Sequence, residues 1–247
     1  MIRTGILMAF LLVSVMSHAQ VWFDFGLKGG GNSTMLVNNN IFNDKLVVHE
    51  FSFGNAYGFR MGTNIGSFSE FTFEYGVQSI NQRWRMNDDQ GNKFWRDIDM
   101  GTRNIGLLYR LHKNGTYSEI GYEFSKVQSA MLENSGDTPN DLLYGSGNIQ
   151  DLLNPNYQSL LFGFGLYVIG NGNLSVIMGF RAAYSLKDVI SEAGGAGSPD
   201  AFPSEYANYD SYAETHPLTI GLSFEINYDI GYLVSPHCET RNAFILF

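Results

Sequence analysis

The 247 residues carry a formal net charge of −9, a single cysteine, 28 glycines, six prolines and 15% aromatic side chains. One cysteine excludes an internal disulfide, and after residue 20 no apolar run approaches the ~20 residues that a membrane helix needs. Many aromatics and glycines with few prolines, at a mean hydropathy of −0.11, favour a β-rich chain held by hydrogen bonding and burial.

At the N-terminus Arg3 precedes an apolar run over 6–16, broken only by Ser14, and Ser17 and Ala19 place small residues at a cleavage site. Residues 1–19 read as a secretory signal peptide, with Gln20 opening the mature chain. No cysteine follows the junction, which argues against a lipid anchor.

Alternation with period two then appears eight times. Phe23, Phe25 and Leu27 alternate with Asp24, Gly26 and Lys28. Tyr57, Phe59, Met61 and Ile65 stand against Gly58, Arg60, Gly62 and Asn64, and Phe71, Phe73, Tyr75 and Val77 against Thr72, Glu74 and Gly76. Ile105, Leu107, Tyr109 and Leu111 follow, where Leu108 breaks the pattern. Ile120, Tyr122 and Phe124 face Glu119, Gly121 and Glu123; Leu160, Phe162, Phe164 and Leu166 face Ser159, Gly163 and Gly165. The last two are Leu174 to Tyr184 against Gly179 and Arg181, and Leu218 to Tyr228 against Gly221, Ser223 and Glu225.

The connections come in two kinds. Those near 66–70, 113–115 and 171–173 are tight, and two contain Asn-Gly, the dipeptide of two-residue hairpins. Those near 34–52, 87–97, 133–157 and 190–216 are long. Eight strands with this asymmetry predict an all-β, eight-stranded antiparallel up-and-down transmembrane β-barrel over 20–232, with long extracellular loops and short periplasmic turns.

Alternation alone does not say which face is outside, because a soluble up-and-down barrel shows the same period. Volume decides. An eight-stranded lumen is just wide enough to be filled by side chains, and ten phenylalanines plus tyrosines and aliphatics exceed it. The apolar set is therefore assigned to lipid and the glycine-rich polar set to the lumen.

The inward set holds Asp24, Glu74, Glu119, Glu123 and Glu225 against Lys28, Arg60, Arg110, Arg181 and Lys187. Near-equal opposite charge where an unpaired ion is costly predicts a salt-bridged plug, with an ion path as the alternative. Glu74 is expected between Arg60 and Arg110, Glu119 beside Arg110, and Glu225 between the strands of Arg181 and Lys28. His112 belongs to the inward set at the periplasmic end.

The long loops carry most of the net charge. The fourth has Glu192, Asp200, Glu205, Asp210 and Glu214, with Phe202, Tyr206, Tyr209 and Tyr212 as a candidate partner-binding cluster. Acidic loops argue against nucleic acid. They suit a protein partner, divalent ions shared with lipopolysaccharide, or simply a solvated surface, and the solvated reading is favoured.

No cofactor or metal set stands out. The segment 87–92 lacks the alternating ligands and closing Glu of a calcium loop. His49, His216, Asp210 and Ser211 do not by themselves define a triad. The chain is read as a non-enzyme, with a narrow channel and a lipid-modifying enzyme as alternatives. Residues 233–247 are read as a periplasmic tail, since 242–247 is too short to cross as a strand.

The Ala19-Gln20 junction, the stretch from Phe23 to Gly30 and the hairpin rhythm resemble outer-membrane β-barrel proteins of the Bacteroidota, of the kind grouped as PorT-like. In size and strand number the chain is also similar to the OmpA/OmpX class. The resemblance implies an outer-membrane location and roles ranging from secretion accessory to adhesion, and it transfers no functional residue.

Overall fold

The computed structural model describes residues 21–87, 93–138, 144–171, 173–199, 202–203 and 209–232. The expected signal segment, Tyr206 and the expected C-terminal tail lie outside them. The elements are β1 (Val21–Val37), α1 (Asn39–Asn43), β2 (Val47–Glu50), β3 (Gly54–Ile65), β4 (Ser69–Asn87), β5 (Lys93–Lys113), β6 (Thr116–Gly136), β7 (Gly147–Asn148), β8 (Asn156–Asn171), β9 (Leu174–Ser185) and β10 (His216–Tyr232).

Eight strands, β1, β3, β4, β5, β6, β8, β9 and β10, each pair antiparallel with the next, and β10 returns to β1 to close the ring. Closure removes the sheet edges that lipid would leave without hydrogen-bond partners. The short β2 and β7 extend the ring upward by pairing with the upper ends of β4 and β6.

The pairing also gives the barrel's shear. From Met35 it runs through Leu218, Tyr184, Leu160, Tyr122, Leu107, Phe73 and Met61 to Phe25, ten residues below its start on β1. Such a stagger tilts the strands and sets a narrow lumen.

At the periplasmic end the turns are tight. Asn114 and Gly115 have φ of 50° and 77° and Gly66 has 62°, the left-handed region that Asn-Gly adopts in a two-residue hairpin. Across the membrane the faces sort as volume demanded: Phe23, Leu27, Phe71, Leu107, Phe164 and Leu222 are exposed, while Asp24, Arg60, Arg110 and Glu225 are buried. Glycine makes the inward space. A Cβ at Gly163 would run into the Glu119 carboxylate, and one at Gly62 would come within 2.6 Å of Asp24.

Three expectations need correction. Leu108 does not break the alternation; it points inward at 4% exposure and packs over Gly121. The 87–97 segment is no long loop, because β4 runs to Asn87 and β5 starts at Lys93. Alternation persists there with reversed polarity: Ile80, Trp84, Met86, Phe94 and Ile98 face inward, so a search for one apolar phase stops too early. Lastly, Lys187 is exposed beyond β9 and contributes nothing to the lumen.

Candidate functional site

The lumen is filled in two layers. The lower is ionic and draws on every strand of the ring except β8. Arg181 on β9 holds Glu74 through both terminal nitrogens (2.6 and 2.9 Å) and Glu119 through Nε at 2.7 Å. Arg110 on β5 reaches Glu119 with Nε at 2.7 Å and grips Glu225 on β10 with two bonds of 2.9 and 2.7 Å. Its guanidinium also lies 4.4 Å from the Tyr117 ring centre. Lys28 adds a 3.0 Å bond to Glu74.

Below this, Arg60 meets Asp24 at 3.2 Å, Glu225 at 3.7 Å and also Glu70. Asn64 donates to Asp24 at 2.5 Å. His112 Nε2 lies 2.8 Å from Glu70, and its Nδ1 is 3.2 Å from the Tyr167 hydroxyl. Bidentate, charge-assisted contacts satisfy Arg110 and Arg181, whereas Arg60 Nε and Nη1 and Asp24 Oδ1 have no hydrogen-bond partner among the described residues.

Glu119 does stand beside Arg110. Glu74 lies opposite Arg60 in the register and 3.7 Å from Arg110, as expected, but its hydrogen bonds go to Lys28 and Arg181 across the lumen. Glu225 lies opposite Lys28 on the strand between β9 and β1, as expected, and is gripped across the lumen by Arg110. Glu123 makes no ion pair among the described residues and accepts from Ser125 at 3.4 Å. Glu70 belongs to the network, although its position before Phe71 in the alternation was a readable signal. Register along a wall was legible; contact across the tube was not, because it depends on shear.

Above the ionic layer lies an internal cavity of about 100 Å³, lined by Lys28, Asn32, Gln78, Asn104, Glu123 and Ser223 among others. A second, apolar layer then closes the extracellular half. Leu36, Ile80, Trp84, Phe94, Met100 and Leu132 from the strands pack with Ile41, Val47, Ile149, Leu153, Ile190 and Phe202 from the long connections.

The loops are thus folded into the mouth, although acidic side chains such as Asp151 and Glu192 stay on the outside. Asn38 caps α1 and donates to Ala213 and Thr215, each at 2.9 Å. Asn154 donates to the carbonyls of Asp188 and Ile190 at 2.9 and 2.7 Å.

This packing ties three members of the candidate aromatic cluster to different partners, while Tyr206 lies outside the described residues. Phe202 is 1% exposed and lies edge-on to Tyr144 at 5.4 Å. Tyr209 donates to Asp44 at 2.8 Å, and Tyr212 donates to Asp188. Burial first, and the adjoining carboxylates second, hold both hydroxyls above the ordinary tyrosine range. His216 Nε2 lies 3.3 Å from Glu214 with its ring stacked on Tyr184, while Ser211 accepts from Asn40 through its carbonyl.

A closed eight-stranded sheet with an apolar exterior and a charged interior defines the class: a small outer-membrane β-barrel. No family model matches the chain, and no curated protein matches it. Among solved structures it is similar to Neisserial surface protein A, at 10% identity over 83% of this chain and 96% of that one, with a TM-score of 0.39. It is likewise similar to OprG from Pseudomonas aeruginosa (9% identity, 83% and 95% covered, TM-score 0.39) and to the outer membrane protease OmpT from Escherichia coli (9%, 85% and 97%, 0.38). At such values no residue role or activity passes from them to this chain.

Proposed function

We propose that the chain is a non-enzymatic outer-membrane barrel with a plugged lumen, acting through its extracellular cap or its periplasmic side as a structural, adhesion or secretion-accessory protein. The observation that carries the reading is the double closure. Arg60 and Arg110 are fully buried in the ionic layer, and Trp84 and Phe94 are fully buried in the apolar one. A path for solutes would have to break both. In this reading residues 1–19 are removed on export, 233–247 stay periplasmic, and the PorT-like resemblance of the first strand is a true kinship.

Planar-bilayer recording tests the closure: the purified chain gives no steady conductance of porin size. A second reading, a narrow channel for small solutes, draws on the internal cavity. A stable, ion-selective conductance removed by Arg60→Ala or Glu74→Ala would favour it.

A further inference from the structure

The pairing around the ring has one thin place. β1 pairs with β3 from Val21 up to Asn32, opposite Gly54, yet stays paired with β10 to Val37. The cause is a bulge. Between Glu50, opposite Arg83, and Ala56, opposite Gln78, five residues (51–55) face four (79–82). Asn81 Nδ2 ties the bulge by donating to the Phe53 carbonyl at 2.7 Å. Phe51 and Phe53 are thrown outward, edge to face, each 72% exposed. Where a strand is missing, the Leu36 amide donates to the Gln82 side chain at 2.9 Å.

Outside this seam lies a groove of about 730 Å³, a size typical of ligand sites that are mostly apolar with a few polar groups. Leu218, Ile220, Leu222 and Phe224 of the lipid-facing belt form its long wall, and Phe51 and Phe53 form its rim. Its polar end holds two groups without partners among the described residues. Trp84 Nε1 donates to His49 Nδ1 at 3.1 Å; an indole N–H only donates, so the neutral imidazole carries its proton on Nε2. That Nε2 is buried and unpartnered, as are both amide atoms of Asn32, which is 6% exposed. Buried donors lacking acceptors are destabilising. The Asn32 amide also borders the internal cavity, so the donor specific to the groove is His49 Nε2, which is itself covered and meets an acceptor in the groove once the ring turns toward it.

We infer that the seam binds an acyl chain of an outer-leaflet lipid, with the chain along Ile220 and Phe224 and its ester carbonyl accepting from His49. The inference rests on the membrane-spanning fold and not on the closed lumen. The groove opens straight onto the lipid-facing wall, and its polar end lies where the apolar belt of β1 and β10 stops. Glu50 lines the same groove, which disfavours a free carboxylate head and favours an uncharged ester.

Trp84 reports on the site through its bond to His49. In a Trp22→Phe, Trp95→Phe background, the chain is reconstituted into phosphatidylcholine vesicles with acyl chains brominated near the ester. Trp84 emission falls at least twofold relative to unbrominated vesicles, and Gly31→Leu restores most of it. A Cβ at Gly31 meets only the Gly54 carbonyl, at 3.9 Å, so leucine grows into the groove without moving the wall. Ser33→Leu fills the same space should Gly31→Leu fail to assemble. Unchanged quenching in the filled variant would overturn the site. Relief by a free long-chain hydrocarbon at constant lipid would make the occupant a solute and also overturn the assignment. A chain that never inserts into vesicles would instead sink the membrane reading, a result distinct from an inserted chain with unquenched Trp84.

Discussion

Within the membrane the barrel is apolar outside and charged inside; in its extracellular extension the same strands are charged outside and apolar inside. β4 shows both states. Phe71 and Phe73 face out and Glu70 and Glu74 face in, then Arg83 and Arg85 face out and Trp84 and Met86 face in. The pleat never changes phase along this strand; the solvent does. One half follows the rule for strands in lipid and the other the rule for a water-soluble sheet closed on a core.

The comparison is broken most easily from below. Arg110→Ala removes the cation shared by Glu119 and Glu225, leaving Glu119 to Arg181 and Glu225 to Arg60 at 3.7 Å, a loss of up to about 3–5 kcal/mol, the range for a broken buried ion pair. Denaturant unfolding of the folded band on heat-modifiable gels measures it. The double variant Arg110→Met, Glu225→Leu recovers part of the loss, because paired removal leaves fewer orphaned charges.

From above, Phe94→Ala empties the cap and costs about 3 kcal/mol, as is usual for a buried aromatic. Its signature differs: the lower barrel keeps its gel mobility while the extracellular loops become sensitive to protease. Equal resistance of the loops in wild type and variant would argue that the cap is not one packed unit.

The outer surface of the extension supplies the control. Arg83 and Asp97 pair at 2.6 Å with the Arg side chain 47% exposed, so Arg83→Ala changes stability by less than about 1 kcal/mol, and 1 M salt erases the difference. The smallest effect is a pH slope. Burial holds the His49 imidazole below its ordinary value, so the folded chain binds this proton less readily than the unfolded one. Its contribution is full above the unfolded pKa near 6.5 and is lost as pH falls below it. Unfolding midpoints between pH 5 and 7, with His49→Leu as reference, read that slope.

Much of this was legible in the sequence by itself. Period-two alternation, an even count of strands, Asn114-Gly115 at a hairpin and the excess of outward phenylalanine fixed a closed barrel and its inside-out polarity, because each is a local consequence of strand geometry and lipid contact. Most of the inward charges are legible for the same reason, although Glu70 joins them and Lys187 does not. The tertiary structure alone decided which charges meet, since a ten-residue shear brings Arg181 to Glu74 and Arg110 to Glu225 across the tube. It also decided that Phe202 joins a core and that the strands outlast the membrane. Those outcomes depend on where the solvent changes and on what the loops find to bury against, and no single strand encodes either.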